Sequence, residues 1–288
     1  HTVTSYSLLS STVRIRSYVK QAKALGYQTL AITDINVLHG VVEFYEACQE
    51  AGIQPIIGLR LEYTPVEKEG HSELLLFAKN LKGYQQLMQL SSSKMTTEGP
   101  FYLAEHQSLL SDLFAVTLSA KGEVAQTFFE DEQQAVHAFQ QLASYFDPQS
   151  LFVEHSFSMN QQRNPALFSF YQREQLPGVA LQEVRHLTRE EGFAVTVLES
   201  IKENNQLNIT SQTPEIEGLN YLREAETTME QMLQIAGAEV VQNTIQLAEN
   251  CRVDIPLHQK LLPHFPVPDN QTAGSYLRTL CLEKLPER

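Results

Sequence analysis

Near the start of the chain, apolar positions alternate between helical and extended spacing. A helix is predicted over residues 13–25, where four apolar side chains recur on one face: Ile15, Val19, Ala22 and Leu25. The apolar run 29–33 that follows has no helical spacing and predicts a short buried strand. A second helix that ends near Gly52 and a further strand at 55–57 complete a β-α-β unit.

Further short apolar runs follow, and we interpret four of them as buried strands: residues 74–78, 114–117, 151–153 and 178–181. Helical patterns separate these runs. A chain that alternates strands with helices favours a parallel sheet whose strands are joined by crossover helices. We therefore expect an α/β fold with six or seven parallel strands, in a sheet that is either open or closed into a barrel.

The pattern changes after Asn205. Residues 210–218 are polar, and the segments beyond them are helical without accompanying strands. The last helix is predicted over residues 273–284, and an earlier one carries a helical stripe: Val241, Thr244, Ala248 and Cys251. We therefore predict two parts, a barrel domain over residues 1–209 and a helical extension over residues 210–288.

The composition is that of a globular protein with an acidic excess. The 288 residues are 42% hydrophobic, and 34 acidic against 21 basic side chains give a formal charge of −13. Such a charge does not attract a phosphate backbone, so strong direct DNA binding is not expected. No apolar run approaches the length of a membrane span, so no membrane contact is expected. Three distant cysteines without C-x-x-C spacing indicate a reducing, cytoplasmic compartment: Cys48, Cys251 and Cys281.

Few candidate catalytic or metal-binding side chains directly follow the predicted strands, which is where barrel proteins place their functional residues. Asp34 directly follows a predicted strand, and two interpretations are open: a functional carboxylate, or the N-cap of the next helix. His1 is a lone histidine, and neither His155 nor His186 has a second histidine at metal-ligand spacing. The sequence contains no H-x-H or H-E-x-x-H motif, no glycine-rich phosphate loop and no G-x-S-x-G elbow. Residue spacing alone therefore does not identify a catalytic or binding activity.

Several segments resemble, in collinear order, the motifs of one protein family. They are HTVTSYSLL at residues 1–9, AITDIN at 31–36, VEFY at 42–45, AGIQPIIG at 51–58, LLLFAKN at 74–80 and LPHFPVPD at 262–269. These segments resemble the PHP (polymerase and histidinol phosphatase) domain that opens the alpha subunit of bacterial DNA polymerase III. The resemblance covers nearly the whole chain. It implies a distorted (β/α)7 TIM-like barrel with a C-terminal helical extension that leads toward the polymerase palm.

Active members of this family hold divalent metals with histidines and carboxylates at strand ends, and use them for phosphodiester hydrolysis. The resemblance implies that three ligand positions are kept here: His1, Asp34 and, by conservative replacement, Glu183. It implies that five others are substituted: Val3, Ile35, Arg60, Glu73 and Arg185. We therefore expect a dismantled site, with no catalytic residue and no metal or other cofactor in this domain.

Carboxylates that remain without cations repel one another, so a folded site needs compensating positive charge. We expect the guanidinium of Arg60, of Arg185 or of both to lie at ion-pair distance from one of three carboxylates: Asp34, Glu73 or Glu183. The alternative is that both arginines point to solvent, which is the more common situation for this residue type.

The resemblance implies a structural and docking module within a DNA-synthesising enzyme. Its partners would be the remainder of the alpha subunit, which would bind magnesium for polymerisation, and a proofreading or other replisome subunit. Two alternatives stay open. One is a residual metal-dependent 3′-5′ exonuclease or phosphoesterase that uses the retained ligand positions with His155 or His186. The other is an independent metabolic barrel enzyme.

Overall fold

The computed structural model describes residues 1–66, 70–156, 164–205, 220–257, 259, 265–268 and 271–287. The chain divides into two compact units, His1–Asp254 and Ile255–Arg288. The boundary predicted between residues 209 and 210 lies outside the described residues. None of the helices in these ranges is long and apolar enough to cross a membrane.

The first unit is built on a six-stranded sheet whose strands are ordered as they occur in the chain. The strands are β1 (Thr29–Ile35), β2 (Gln54–Tyr63), β3 (Ser72–Ala78), β4 (Leu113–Thr117), β5 (Leu151–His155) and β6 (Gly178–Ala180). All neighbouring pairs are parallel except those of β3, which runs antiparallel to both β2 and β4.

The direction of β3 corrects the prediction of a fully parallel sheet with a helix between every two strands. β2 and β3 are connected by residues 64–71 alone. A crossover between parallel strands needs a dozen or more residues, whereas antiparallel neighbours are joined by a short loop. The length of this connection therefore imposes the antiparallel pairing.

The two edges of the sheet are linked by the first residues of the chain. Thr2 forms one bridge to Ile32 of β1 and another to Val184, which follows β6. The backbone nitrogen of Thr33 donates to the carbonyl of Thr2 at 2.7 Å, and that of Val3 donates to Val184 at 3.0 Å. The α/β barrel architecture is thus confirmed as a curled sheet of six strands. Within the described ranges, isolated bridges stand in place of a seventh strand.

Ten α-helices lie in the described ranges. They are α1 (Ile15–Ala24), α2 (Val41–Ala51), α3 (Leu81–Thr96), α4 (Glu123–Phe128), α5 (Glu132–Ala143), α6 (Asn164–Arg173), α7 (Gly192–Glu203), α8 (Ala225–Ala236), α9 (Ala238–Glu249) and α10 (Ala273–Lys284). α1 buries three of the four predicted stripe residues, Ile15, Val19 and Ala22, whereas Leu25 lies just beyond the end of the helix and is half-buried. α2 ends at Gly52, whose φ of 69° is the left-handed conformation that favours glycine at a helix end. α10 has the bounds that the pattern predicted.

The core includes the whole of β3, all seven residues of which are buried. A strand buried on both faces has a continuous apolar run rather than an alternating one, which explains the sequence LLLFA. On the inner face of the sheet, which also carries Arg60 and Glu154, Leu247 of α9 joins Phe77 and Val179 in one apolar cluster. Cys251 belongs to the same cluster but lies beyond the end of α9, not within the helix as its stripe predicted. The helix α9 therefore packs on the sheet.

Candidate functional site

Strand direction brings charged side chains to one end of the barrel. β1 and β2 are parallel, and Ile35 at the end of β1 is paired in register with Arg60. Because β3 runs the opposite way, its second residue, Glu73, lies beside Glu62 near the end of β2. The segment after β6 adds Glu183 to the same end. We call this end the barrel mouth.

Arg60 lies at the centre of these charges. Its side chain is 5% exposed. Its Nε donates to Glu73 Oε2, and its Nη1 donates to Glu183 Oε1. A single guanidinium therefore joins β2, β3 and the segment after β6. The expectation that Arg60 pairs with Glu73 or Glu183 is confirmed for both carboxylates.

Two more basic side chains and one more carboxylate extend these ion pairs on both sides of Arg60. Lys121 Nζ lies 3.1 Å from Glu73 Oε1. Arg185 Nε lies 3.2 Å from Glu183 Oε1, without the alignment of a hydrogen bond, and Arg185 Nη1 pairs with Glu199 of α7. We call this alternating series the ionic chain, in the order Lys121, Glu73, Arg60, Glu183, Arg185 and Glu199. Its three positive and three negative charges balance.

The ionic chain keeps Glu183 and Arg60 charged at neutral pH. Burial acts to raise the pKa of Glu183, but the charges of Arg185 and Arg60 outweigh it and hold that pKa far below its usual range. Burial acts to lower the pKa of Arg60, and Glu183 and Glu73 outweigh it in the same way. Removal of one member of such a buried pair costs about 3–5 kcal/mol, because the other charge is left without compensation. The charged side chains of the ionic chain therefore stabilise the folded protein only when all of them are present.

Asp34 has a different environment, made of hydroxyl and amide donors. Its Oδ1 accepts hydrogen bonds from Thr4 N at 2.7 Å and Ser7 Oγ at 2.6 Å, and its Oδ2 accepts one from Thr4 Oγ1 at 2.7 Å. Burial raises the pKa of Asp34, and these hydrogen bonds oppose the rise. Asp34 therefore anchors the loop before α1. It is not the N-cap of α2, a position that Gly40 occupies.

His1 faces Glu154, a residue that the sequence reasoning missed. His1 Nε2 lies 3.4 Å from Glu154 Oε1, and Glu154 Oε2 accepts hydrogen bonds from the amide and hydroxyl of Ser119 at 2.9 and 2.8 Å. Side chains alternate between the two faces of a strand, so Glu154 points inward where His155 points outward. That alternation along β5 was the available signal, since Val153 and His155 share the outer face.

The two other candidate histidines are not brought to the barrel mouth. The ring of His155 lies against that of Phe168 of α6 in a tilted arrangement with centroids 4.4 Å apart, and burial lowers the pKa of His155 to about 4. The ring nitrogen Nδ1 of His186 lies 2.7 Å from the carbonyl oxygen of Thr188. Each histidine therefore has a role in packing or in a turn near its own strand end.

The side chains at the barrel mouth do not fit the metal cluster that the family resemblance implies for active members. Val3 is fully buried and Ile35 is partly buried, and neither has a ligand atom. The guanidinium of Arg60 lies between two carboxylates that would otherwise face a cation. Among the described residues, no three His, Cys, Asp or Glu side chains are placed to hold one metal ion.

Comparison with known proteins gives consistent matches over the chain. A family profile described as "PHP domain" matches residues 1–156. The DNA polymerase III subunit alpha of Bacillus subtilis is 31% identical over 98% of this chain and 25% of the relative. That of Halalkalibacterium halodurans is 32% identical over 100% of this chain and 26% of the relative. The chain thus spans about a quarter of the length of these relatives. The structure of an amidohydrolase from Chromobacterium violaceum covers 65% of this chain and 86% of its own, with a TM-score of 0.44 and 11% identity.

Proposed function

Since the chain belongs to the PHP domain family, we propose that it is the PHP domain of a DNA polymerase III alpha subunit. One observation supports this above all. The match to alpha subunits extends over the whole chain, including the part beyond residue 156 where the family profile ends. The parent protein would be a DNA-directed DNA polymerase, a nucleotidyltransferase, whose magnesium-binding carboxylates lie in its remaining three quarters.

Within that protein, the domain has a structural and docking role and no phosphoesterase activity of its own. Metal-dependent hydrolysis requires a cation that lowers the pKa of bound water and stabilises the developing charge. Here the carboxylates that would hold a cation are neutralised by Arg60, with Arg185 and Lys121 beside them. This pairing is what favours the noncatalytic role over a residual 3′-5′ exonuclease.

The partners follow from the same assignment. The remainder of the alpha subunit is the first of them, because the relatives contain this region as one quarter of a longer chain. A proofreading subunit or another replisome subunit is the second. Direct contact with DNA is weak, because a net charge of −13 offers little release of counterions from phosphates. The protein works in the cytoplasm, where thiols such as that of Cys48 stay reduced.

The test uses the full-length gene product. Primer extension with magnesium is expected, together with no divalent-dependent hydrolysis of a simple phosphodiester. Elemental analysis after dialysis against a chelator should find no zinc, manganese or iron retained. Stoichiometric retained metal, with hydrolysis that Asp34→Asn abolishes, would establish the residual nuclease instead. Absence of primer extension would contradict the polymerase assignment. As a control, Arg16→Ala changes an exposed arginine far from these carboxylates and should alter neither activity.

A further inference from the structure

We propose that a cavity beside α6 binds an uncharged, planar nitrogen heterocycle of about the size of a nucleobase. The cavity lies between α6 and the junction of α8 with α9, and its volume is about 620 Å³. Its floor contains the buried residues His155, Tyr171 and Gly178, whereas Gln172 and Glu239 at its rim are exposed. None of the six members of the ionic chain is among the described residues that line it, so this site is separate from the barrel mouth. The proposal does not depend on the polymerase assignment.

His155 occupies the cavity floor although packing does not require a histidine there. Its side chain is almost fully buried, and its Nδ1 has no hydrogen-bond partner. A buried polar atom without a partner destabilises the folded protein. The ring lies against those of Phe168 and Tyr171, so a phenylalanine would pack at this position without that penalty. A ligand that pairs with the imidazole explains the histidine, whereas packing does not.

The first residue of β6 is what allows this ring to lie where it does. A Cβ at Gly178 would lie 2.8 Å from both Cδ2 and Nε2 of His155, and 3.2 Å from Cγ2 of Val240. Any larger residue would therefore displace the imidazole. Glycine weakens a strand, and it is typical of positions where another group approaches closely. The local sequence thus keeps an imidazole at the cavity floor in two ways that do not favour stability.

Tyr171 supplies a second unpaired group at the same floor. It is fully buried, its hydroxyl has no hydrogen-bond partner, and its ring centroid lies 5.7 Å from that of His155. Burial lowers the pKa of His155 to about 4 and raises the pKa of Tyr171, so both side chains are neutral at pH 7. A neutral imidazole has one donor and one acceptor, and a phenol can act as either. A half-turn of the His155 ring exchanges Nδ1 with Cδ2, so either nitrogen can face the cavity. The complementary ligand presents a donor beside an acceptor, as an amide or amidine edge does.

The charges around the cavity favour an uncharged ligand. Glu239 is the single charged side chain among the described residues that line it. A phosphate or carboxylate would be repelled by Glu239 and would find no lysine or arginine there. Glu239 also lies in the first turn of α9, where its charge already complements the helix dipole. A cation would face the first amides of α9, because the N-cap Gly237 has no side chain to pair with them.

The remaining walls and the size of the cavity favour a flat ring. Leu176 and Val240 are apolar, and Tyr171 is aromatic, so a planar ring can pack against them while its edge forms hydrogen bonds. Cavities of roughly 300–1,000 Å³ are typical of sites for small organic ligands. A heterocycle of nucleobase size therefore fits, with room for a substituent that extends toward Gln172 at the rim.

The experiment uses the full-length protein and three uncharged probes: cytosine, uracil and nicotinamide. Hydrogen exchange is measured in peptides that cover α6 and α9, with and without each probe. At least one probe at about 10 mM, roughly ten times the dissociation constant expected for so small a ligand, should slow exchange in these peptides about tenfold. Cytidine 5′-monophosphate, which adds a phosphate, should slow it less than the uncharged probes do. No slowing by any of the three probes, or a larger effect of the monophosphate, would overturn the proposal.

Three variants assign the effect to the cavity. His155→Phe keeps an aromatic ring but removes both nitrogen atoms, and should abolish the slowing. Tyr171→Phe removes one hydroxyl and should weaken binding about fivefold, and it serves as the test if His155→Phe does not fold. Tyr84→Phe removes the hydroxyl of a buried tyrosine of α3 that does not line the cavity, and should behave as the parent does. Slowing that persists unchanged in His155→Phe or in Tyr171→Phe would show that the probe binds elsewhere.

Discussion

Replacement of Glu183 by glutamine tests whether the ionic chain stabilises the barrel. Glu183→Gln keeps the size of the side chain and an acceptor oxygen but removes the negative charge that Arg60 and Arg185 share. At an effective dielectric of 20, each of these two charges attracts the carboxylate by about 4 kcal/mol at 4 Å. Desolvation of the carboxylate, which glutamine largely avoids, offsets several kcal/mol of this attraction. We expect a net loss of about 3 kcal/mol at pH 7.

The same variant makes a prediction about pH. The pKa of Glu183 is lowered below its ordinary value of 4.5, so the folded state binds its proton less readily than the unfolded state. The stability that Glu183 contributes is therefore present above pH 4.5 and is lost as the pH falls below it. The difference in unfolding free energy between the parent and Glu183→Gln should shrink steadily below that pH.

Urea denaturation of both proteins, at several pH values from 7 downward, measures this difference. Glu50→Gln is the matched control, because Glu50 pairs with Arg16 on the surface with its side chain 66% exposed. Exposed pairs contribute roughly 0–1 kcal/mol, so this control should change little at any pH. A Glu183→Gln protein as stable as the parent at pH 7, or a loss that stays constant down to pH 3, would refute the reasoning.

Three other outcomes are expected. His155→Phe should raise the unfolding free energy by roughly 1 kcal/mol, because the buried Nδ1 of His155 has no hydrogen-bond partner and its ring already lies among aromatic side chains. Burial lowers the pKa of His155 from 6.5 to about 4, so this gain should increase as the pH falls through that interval. Denaturation curves at several pH values measure it. Gly83→Ala should lower the unfolding free energy by about 2 kcal/mol despite the better helix propensity of alanine, because a Cβ at Gly83 would meet the carbonyl oxygen of Asp112 at 2.3 Å; an unchanged melting temperature would contradict this. A gel-shift titration of the chain should give no submicromolar DNA affinity at physiological salt, given its charge of −13.

The sequence pattern located most of the helices and strands but not the direction of β3. The run LLLFA has the length and composition of a buried strand whichever way it points. Its antiparallel pairing depends on the short connection from β2, and the pattern was interpreted there as one more β-α unit. The direction of this strand is also what brings Glu73 to the barrel mouth, so Glu73 was identified from the family resemblance and not from the predicted topology.

The charge pairing could be predicted because it follows from a general requirement. Buried carboxylates need compensation, and Arg60 and Arg185 were the cations at the expected positions. The partners of Asp34 could not be found in the same way. Thr4 and Ser7 are neutral residues of a loop, and their hydrogen bonds to Asp34 depend on how that loop folds back over the end of β1. No arginine among the described residues pairs with Asp34, although that pairing was one of the expected ones.

The link between Thr2 and Val184 has a consequence for the synthesis of the protein. These two residues are roughly 180 positions apart, so a ribosome that adds about 5–20 residues per second makes the partner roughly 10–35 seconds after the first residues emerge. Throughout that interval Thr2 can pair with β1 but has no neighbour on its other side, and unpaired edges are templates for aggregation. The nascent chain therefore depends on its first residues staying accessible until the last strand emerges, and slowing translation ahead of residue 184 should lower its soluble yield.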